Sequence, residues 1–120
     1  FGDTGFEKRI NHLFKLAKYA EWKVNQSANL KLISPVESLN ICFQPQPQQL
    51  SKNDWNQFTI SCRDEITNQG LVMVNYAYID KICCIRLIIV NFEQKEKDID
   101  RFFNLFDRTI VRLLSKISNE

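Results

Sequence analysis

Ile82-Cys83-Cys84-Ile85-Arg86-Leu87-Ile88-Ile89-Val90 is apolar at both alternating sets of positions, with a single charge, Arg86, in its middle. Side chains along a strand alternate between faces, so a run that is apolar on both reads as a central strand buried on each side. Cys83 and Cys84, being adjacent, point to opposite faces. A guanidinium stays charged at any ordinary pH, so burial obliges Arg86 to find a carboxylate, a phosphate or several carbonyls. Internal solutions are an ion pair with Asp64, Glu65 or Asp107, or a buried stem whose head reaches water. The external solution is a bidentate contact to a carboxylate from a ligand or a neighbouring domain. Position alone favours the internal ones, because buried arginines are more often structural than functional.

Outward from this strand, Leu71 to Tyr78 is a second β-rich run, and the short gap around Ile79-Asp80 makes the two an antiparallel hairpin. Upstream, Trp55, Phe58, Ile60, Cys62 and Ile66 sit between the polar Ser51-Lys52-Asn53-Asp54 and Gly70, which predicts a helix. Leu30 to Ser34 and Leu39 to Gln44 are short apolar segments stopped by Pro35 and by Pro45 and Pro47, and read as strands. The proline-rich Gln44 to Gln49 that follows reads as an ordinary loop. At the N-terminus Thr4-Gly5-Phe6-Glu7 fits a capping box. Phe6, Ile10, Leu13, Phe14, Ala17 and Val24 then recur at helical spacing and fade near Asn25 to Asn29. Ile99, Phe102, Phe103, Phe106, Ile110, Leu113, Leu114 and Ile117 define a closing helix. The order α-β-β-α-β-β-α is an α+β pattern, a small, largely antiparallel four-stranded sheet covered by helices.

The chain has 120 residues, 44% hydrophobic and 25% charged, enough for one core and one domain over residues 1–120. Sixteen basic against 14 acidic side chains give a net charge of +2, which argues against a nucleic-acid or membrane surface. No apolar run approaches a membrane span. The polar Gly2-Asp3-Thr4-Gly5 opening lacks a secretory pattern, so a cytoplasmic location is expected. The four cysteines form no CxxC pair and the single histidine is His12, so no zinc site is indicated, and reduced, buried thiols are expected. His12 reads as a surface or boundary residue, and Tyr76 and Tyr78 as packing residues on one strand face. Paired-carboxylate, GxSxG and phosphate-loop motifs are absent, which argues against a self-contained enzyme.

Gly2-Asp3-Thr4-Gly5-Phe6-Glu7-Lys8-Arg9-Ile10 resembles the opening of the C-terminal small domain of group II pyridoxal-phosphate-dependent amino-acid decarboxylases, which act on glutamate, cysteine sulfinate or aromatic amino acids. Asn40-Ile41-Cys42-Phe43, Gly70 to Tyr76, Ile85 to Asn91 and Asp98-Ile99-Asp100 are similar to successive later segments of that domain, in the same order. The resemblance implies the fold of the C-terminal domain of fold type I pyridoxal-phosphate enzymes. It also places Arg86 where the family directs an arginine toward the active site, associated in acidic-substrate members with a substrate carboxylate. Cys83-Cys84-Ile85 stands in place of a more aromatic, asparagine-containing stretch, and Ala77-Tyr78 in place of Gln-Pro. The family's cofactor lysine directly follows a histidine, whereas His12 is followed by Leu13. The resemblance therefore implies pyridoxal phosphate held by a separate large domain, no cofactor on this chain alone, an amino-acid substrate and a homodimeric parent. The alternative from another class is a free-standing α+β ligand- or protein-binding module.

Overall fold

The computed structural model describes residues 2–33, 39–68, 74–89 and 93–118. Its elements are α1 (Gly2–Gln26), β1 (Leu30–Leu32), β2 (Asn40–Pro45), α2 (Trp55–Asn68), β3 (Val74–Ile79), β4 (Ile82–Ile88) and α3 (Glu96–Ser118), with one 3-10 turn, Lys52–Asp54, before α2. The expected α-β-β-α-β-β-α order is what the chain forms. Pro35, Gly70 and the Leu71–Met73 and Val90 ends of the expected strands lie outside the described residues.

The four strands run β1-β2-β4-β3, every neighbouring pair antiparallel. Thus β4 is an interior strand, as its sequence demands. The hairpin turns on Asp80 and Lys81, with φ of 50° and 69°. Positive φ at both central residues gives the twist that matches two paired strands, here without a glycine.

One face of the sheet meets all three helices. Leu30, Ile41, Phe43, Ile85 and Leu87 join Leu13, Leu16, Ala17, Ala20 and Val24 of α1, Phe58, Cys62 and Ile66 of α2, and Ile99, Phe103, Phe106 and Ile110 of α3 in one core. Phe43 lies at its centre, fully buried, 5.6 Å from the Phe103 ring and 5.3 Å from Phe106, nearly edge-on to the latter. Burial of such a side chain contributes about 1.5–3 kcal/mol, and each ring pair about 0.5–1.5 more. Three further ties join α1 to the region where α3 begins. The Tyr19 hydroxyl donates to Asp100 at 2.5 Å, and Lys23 pairs with the same carboxylate at 3.2 Å. His12 Nε2 donates to the Gln94 carbonyl at 2.6 Å; because a carbonyl can only accept, Nε2 carries the proton.

Three expectations are corrected. Helix α1 already runs from Gly2, so Thr4 lies inside it rather than at its cap. Phe6 and Phe14 are exposed, 60% and 43%, and the buried stripe begins near Ile10 and Leu13 instead; helical spacing identifies an apolar face but not how far the core extends beneath it. Pro45 does not stop β2 but ends it inside the sheet, fully buried opposite Leu30. A proline lacks only the N–H, so a terminal strand position accommodates it. Pro47 is likewise buried and accepts from the Leu50 amide and the Trp55 indole, so the loop is packed.

Where the β2–β4 pairing ends at Phe43 and Ile85, side-chain amides take over. Asn56, in the first turn of α2, donates to the Lys81 carbonyl at 3.1 Å and accepts from the Cys83 amide at 2.9 Å and from Gln44 Nε2 at 2.8 Å. Gln44 Nε2 also donates to the Cys83 carbonyl at 2.9 Å. One asparagine thus acts as a short strand that fastens the hairpin to α2. Asn56→Ala removes the side-chain partner of the Lys81 carbonyl and the Cys83 amide and is expected to destabilise the fold by about 1–3 kcal/mol, read as a lower urea midpoint; an unchanged midpoint would contradict this role.

Candidate functional site

By strand alternation the positions between the core residues face away from the helices: Cys42 on β2, Cys84 and Arg86 on β4, Asn75 and Ala77 on β3. The expectation of a strand buried alike on both faces is corrected here. On this second face Cys84 is buried, but Arg86 and Ile88 are half-buried and Ile82 is exposed. The core residues of all three helices pack with the other face of the sheet.

Arg86 sits in a row across three strands, with Cys42 its partner on β2 and Asn75 its partner on β3. Side chains so paired have Cβ atoms about 4.5–5.5 Å apart. The Arg86 Nε is shielded from solvent and has no hydrogen-bond partner. None of the ion pairs among the described residues takes its guanidinium. The three acids weighed from sequence are all on helices. Asp64 pairs with Arg63 at 3.3 Å and Glu65 with Arg112 at 2.5 Å, while Asp107 lines a cleft with Trp22 and Lys23.

The groups around the guanidinium are uncharged or donating. Burial and the neighbouring Cys42 push the Cys84 thiol up to about 12, so it stays protonated, and its Sγ lies 3.4 Å from the Ala77 carbonyl. Asn75 Oδ1 accepts the N–H of Tyr76 at 2.9 Å. That bond anchors the amide by its oxygen, using one of its two lone pairs, and leaves the Nδ2 hydrogens to be offered outward. Sequence reading found Arg86 but missed Asn75 and Cys42, which stand beside it only once strand register is known. Counting outward from a turn placed at Asp80-Lys81 would have set Asn75 opposite Arg86.

The remaining sequence candidates lie elsewhere. His12 is half-buried in the α1 contact described above, at the edge of an open cleft with Lys8, Arg9, Glu93 and Lys95. Tyr76 and Tyr78 do share a strand face, their rings 6.4 Å apart at 90°, but both are exposed, and Arg63 lies 5.3 Å over the Tyr76 ring. All four cysteines are free and buried. No cluster of three metal-ligating side chains occurs among the described residues, and no described helix is long and apolar enough to cross a membrane.

A helix-backed four-stranded antiparallel sheet of this order is the fold of a domain found in amino-acid decarboxylases. The chain is 22% identical over 115 residues to the acidic amino acid decarboxylase GADL1 of Mus musculus, a match covering 88% of this chain and 21% of that protein. It is 39% identical over 49 residues to the L-aspartate decarboxylase dtxS4 of Metarhizium robertsii, covering 39% of this chain and 10% of that one. Among solved structures, Catharanthus roseus tryptophan decarboxylase in complex with L-tryptophan superposes with a TM-score of 0.84 at 18% identity, covering 93% of this chain and 24% of that one. Mouse CSAD superposes at 0.80 with 21% identity, over 90% and 25%. These relatives and neighbours are group II pyridoxal-phosphate-dependent decarboxylases. No protein-family model matches the chain. The chain spans about a fifth of the length of the first of these relatives.

The residues described here do not fit pyridoxal phosphate. Every described lysine is exposed except Lys23, which is half-buried and paired with Asp100; Lys8 and Lys95 border only an open cleft, so none of them is enclosed as a Schiff-base lysine would be. No step through that cofactor is assigned to this chain.

Thiol chemistry offers a check on the burial of Cys62 in the core and of Cys84 on the second face. Burial pushes Cys62 to about 12 and, with Cys42, Cys84 to about 12, from an ordinary 9.0. A raised folded pKa contributes stability that is full below the unfolded value and is lost as pH rises through the folded one. Under reducing conditions, urea midpoints are therefore expected to hold to about pH 8 and fall between about 9 and 12. Cys62 and Cys84 should resist iodoacetamide at pH 8 until the chain unfolds; rapid labelling of either in the native protein would contradict it.

Proposed function

We propose that residues 1–120 are the C-terminal small domain of a larger, cytoplasmic, pyridoxal-phosphate-dependent amino-acid decarboxylase, a homodimer in which this domain closes the active site. The observation that carries the reading is Arg86: a permanent cation in an interior strand, with a shielded, unpartnered Nε and no acid of this chain paired to it among the described residues. Its counter-charge is supplied from outside the domain, by the substrate's carboxylate. The cofactor, held by the large domain, supplies the electron sink for the carbanion left when carbon dioxide departs.

The chemistry indicates which carboxylate. Decarboxylation turns an anionic group into neutral carbon dioxide, so a cation clamped on the leaving group would bind the ground state better than the transition state. A cation on a second, unreactive carboxylate carries no such penalty and fixes the substrate's orientation. An acidic amino acid is therefore the substrate class proposed, and the names of the two sequence relatives, an acidic amino acid decarboxylase and an L-aspartate decarboxylase, accord with it.

In the full-length enzyme Arg86→Lys is expected to lower kcat/KM roughly ten- to a hundredfold, because a point ammonium cannot reproduce a two-pronged contact. Unchanged turnover would remove Arg86 from the site. The isolated 120-residue domain, mixed with pyridoxal phosphate, is expected to give no saturable new absorption band; a lysine-dependent band would contradict the division of labour.

A further inference from the structure

We propose that Asn75 is the second half of the subsite built on Arg86, a specificity-determining residue that makes the sheet's second face a three-donor cradle for an anionic substrate group. The inference rests on the reading of Arg86 given above and names a residue that reading does not require.

Three observations carry it. Asn75 is the direct partner of Arg86 on the edge strand β3, so the two side chains rise from the same face side by side. The Tyr76 N–H donates to Asn75 Oδ1 at 2.9 Å, which uses one of that oxygen's two lone pairs and anchors the amide with its oxygen toward the backbone. What remains is a pair of N–H donors beside a guanidinium, with Asn75 exposed and therefore reachable. On the far side of Arg86 stands Cys42, and along the strand Cys84, whose thiol burial holds protonated. The Cys84 S–H is spent on the Ala77 carbonyl, so the donors this face offers are those of Arg86 and Asn75.

A carboxylate has about four lone-pair directions, of which an arginine fork fills two. The amide offers a third bond to the same group. A neutral side-chain amide, with its own N–H groups, would set donor against donor at this point, so the pair selects by charge and by acceptor count. Asn75 is accordingly a determinant of acid over amide and acts on binding.

Steady-state kinetics of the full-length enzyme test this, with L-aspartate, L-glutamate and L-cysteine sulfinate as substrates and L-asparagine and L-glutamine as neutral competitors. For the best acidic substrate, Asn75→Ala is expected to raise KM about tenfold with kcat little changed, the loss of one bond to a charged acceptor. The advantage of acid over amide should shrink in proportion. Asn75→Asp, which places a carboxylate across from the guanidinium, should raise KM about a hundredfold or more. Asn75→Ser, which keeps a donor, should recover part of the loss. An unchanged KM and unchanged discrimination in Asn75→Ala, with Arg86→Lys impaired, would overturn the role of Asn75 and leave that of Arg86 intact. A fall in kcat alone, or in melting temperature in step with activity, would also overturn it. If Arg86→Lys is itself silent, the underlying reading fails first.

Discussion

A guanidinium cannot lose its charge, and in this domain one is mounted on a strand that pairs on both sides. That constraint organises what surrounds it. The helices contribute their apolar faces to one side of the sheet, where Phe43, Phe103 and Phe106 form the packed centre. The opposite side carries Arg86 between Cys42 and Asn75, and the three acids weighed as its partners, Asp64, Glu65 and Asp107, are committed to other partners or a cleft in the helix layer. A structural arginine in a self-sufficient domain would be expected to meet one of them. The separation of charge from counter-charge is therefore the feature that links fold to proposed use.

The rest of the architecture holds that row in place. Asn56 substitutes for a strand where the β2–β4 pairing ends and fixes the base of the hairpin to α2. Asp80 and Lys81 set the turn, and with it the register that puts Asn75 beside Arg86. Tyr19, Lys23 and His12 bind the first helix to the region that begins the last one. A rigid sheet suits the orienting role proposed for Arg86, because a group displaced by about 1 Å can cost a hundredfold in rate.

Much of this was legible in the sequence. The closing helix announced itself because its apolar residues recur at three- and four-residue spacing, and β4 because both of its faces are apolar. The resemblance to decarboxylase small domains rested on ordered, individually degenerate segments, and the fold and the relatives agree with it. The illegible parts share a cause: they depend on register or on the reach of the core, which local pattern does not encode. Phe6 and Phe14 lie on the helical stripe yet outside the core. Asn56 and Asn75 are ordinary polar residues until pairing sets them beside Cys83 and Arg86. Pro45, a strand breaker by propensity, ends a strand within the sheet because only its missing N–H had to be accommodated.

The most direct measurement is a crystal structure of the full-length enzyme with an unreactive dicarboxylate bound in its active site. The account predicts a carboxylate of that molecule accepting hydrogen bonds from the Arg86 guanidinium. A guanidinium already paired with an aspartate or glutamate of the protein, turned away from the bound molecule, would contradict it.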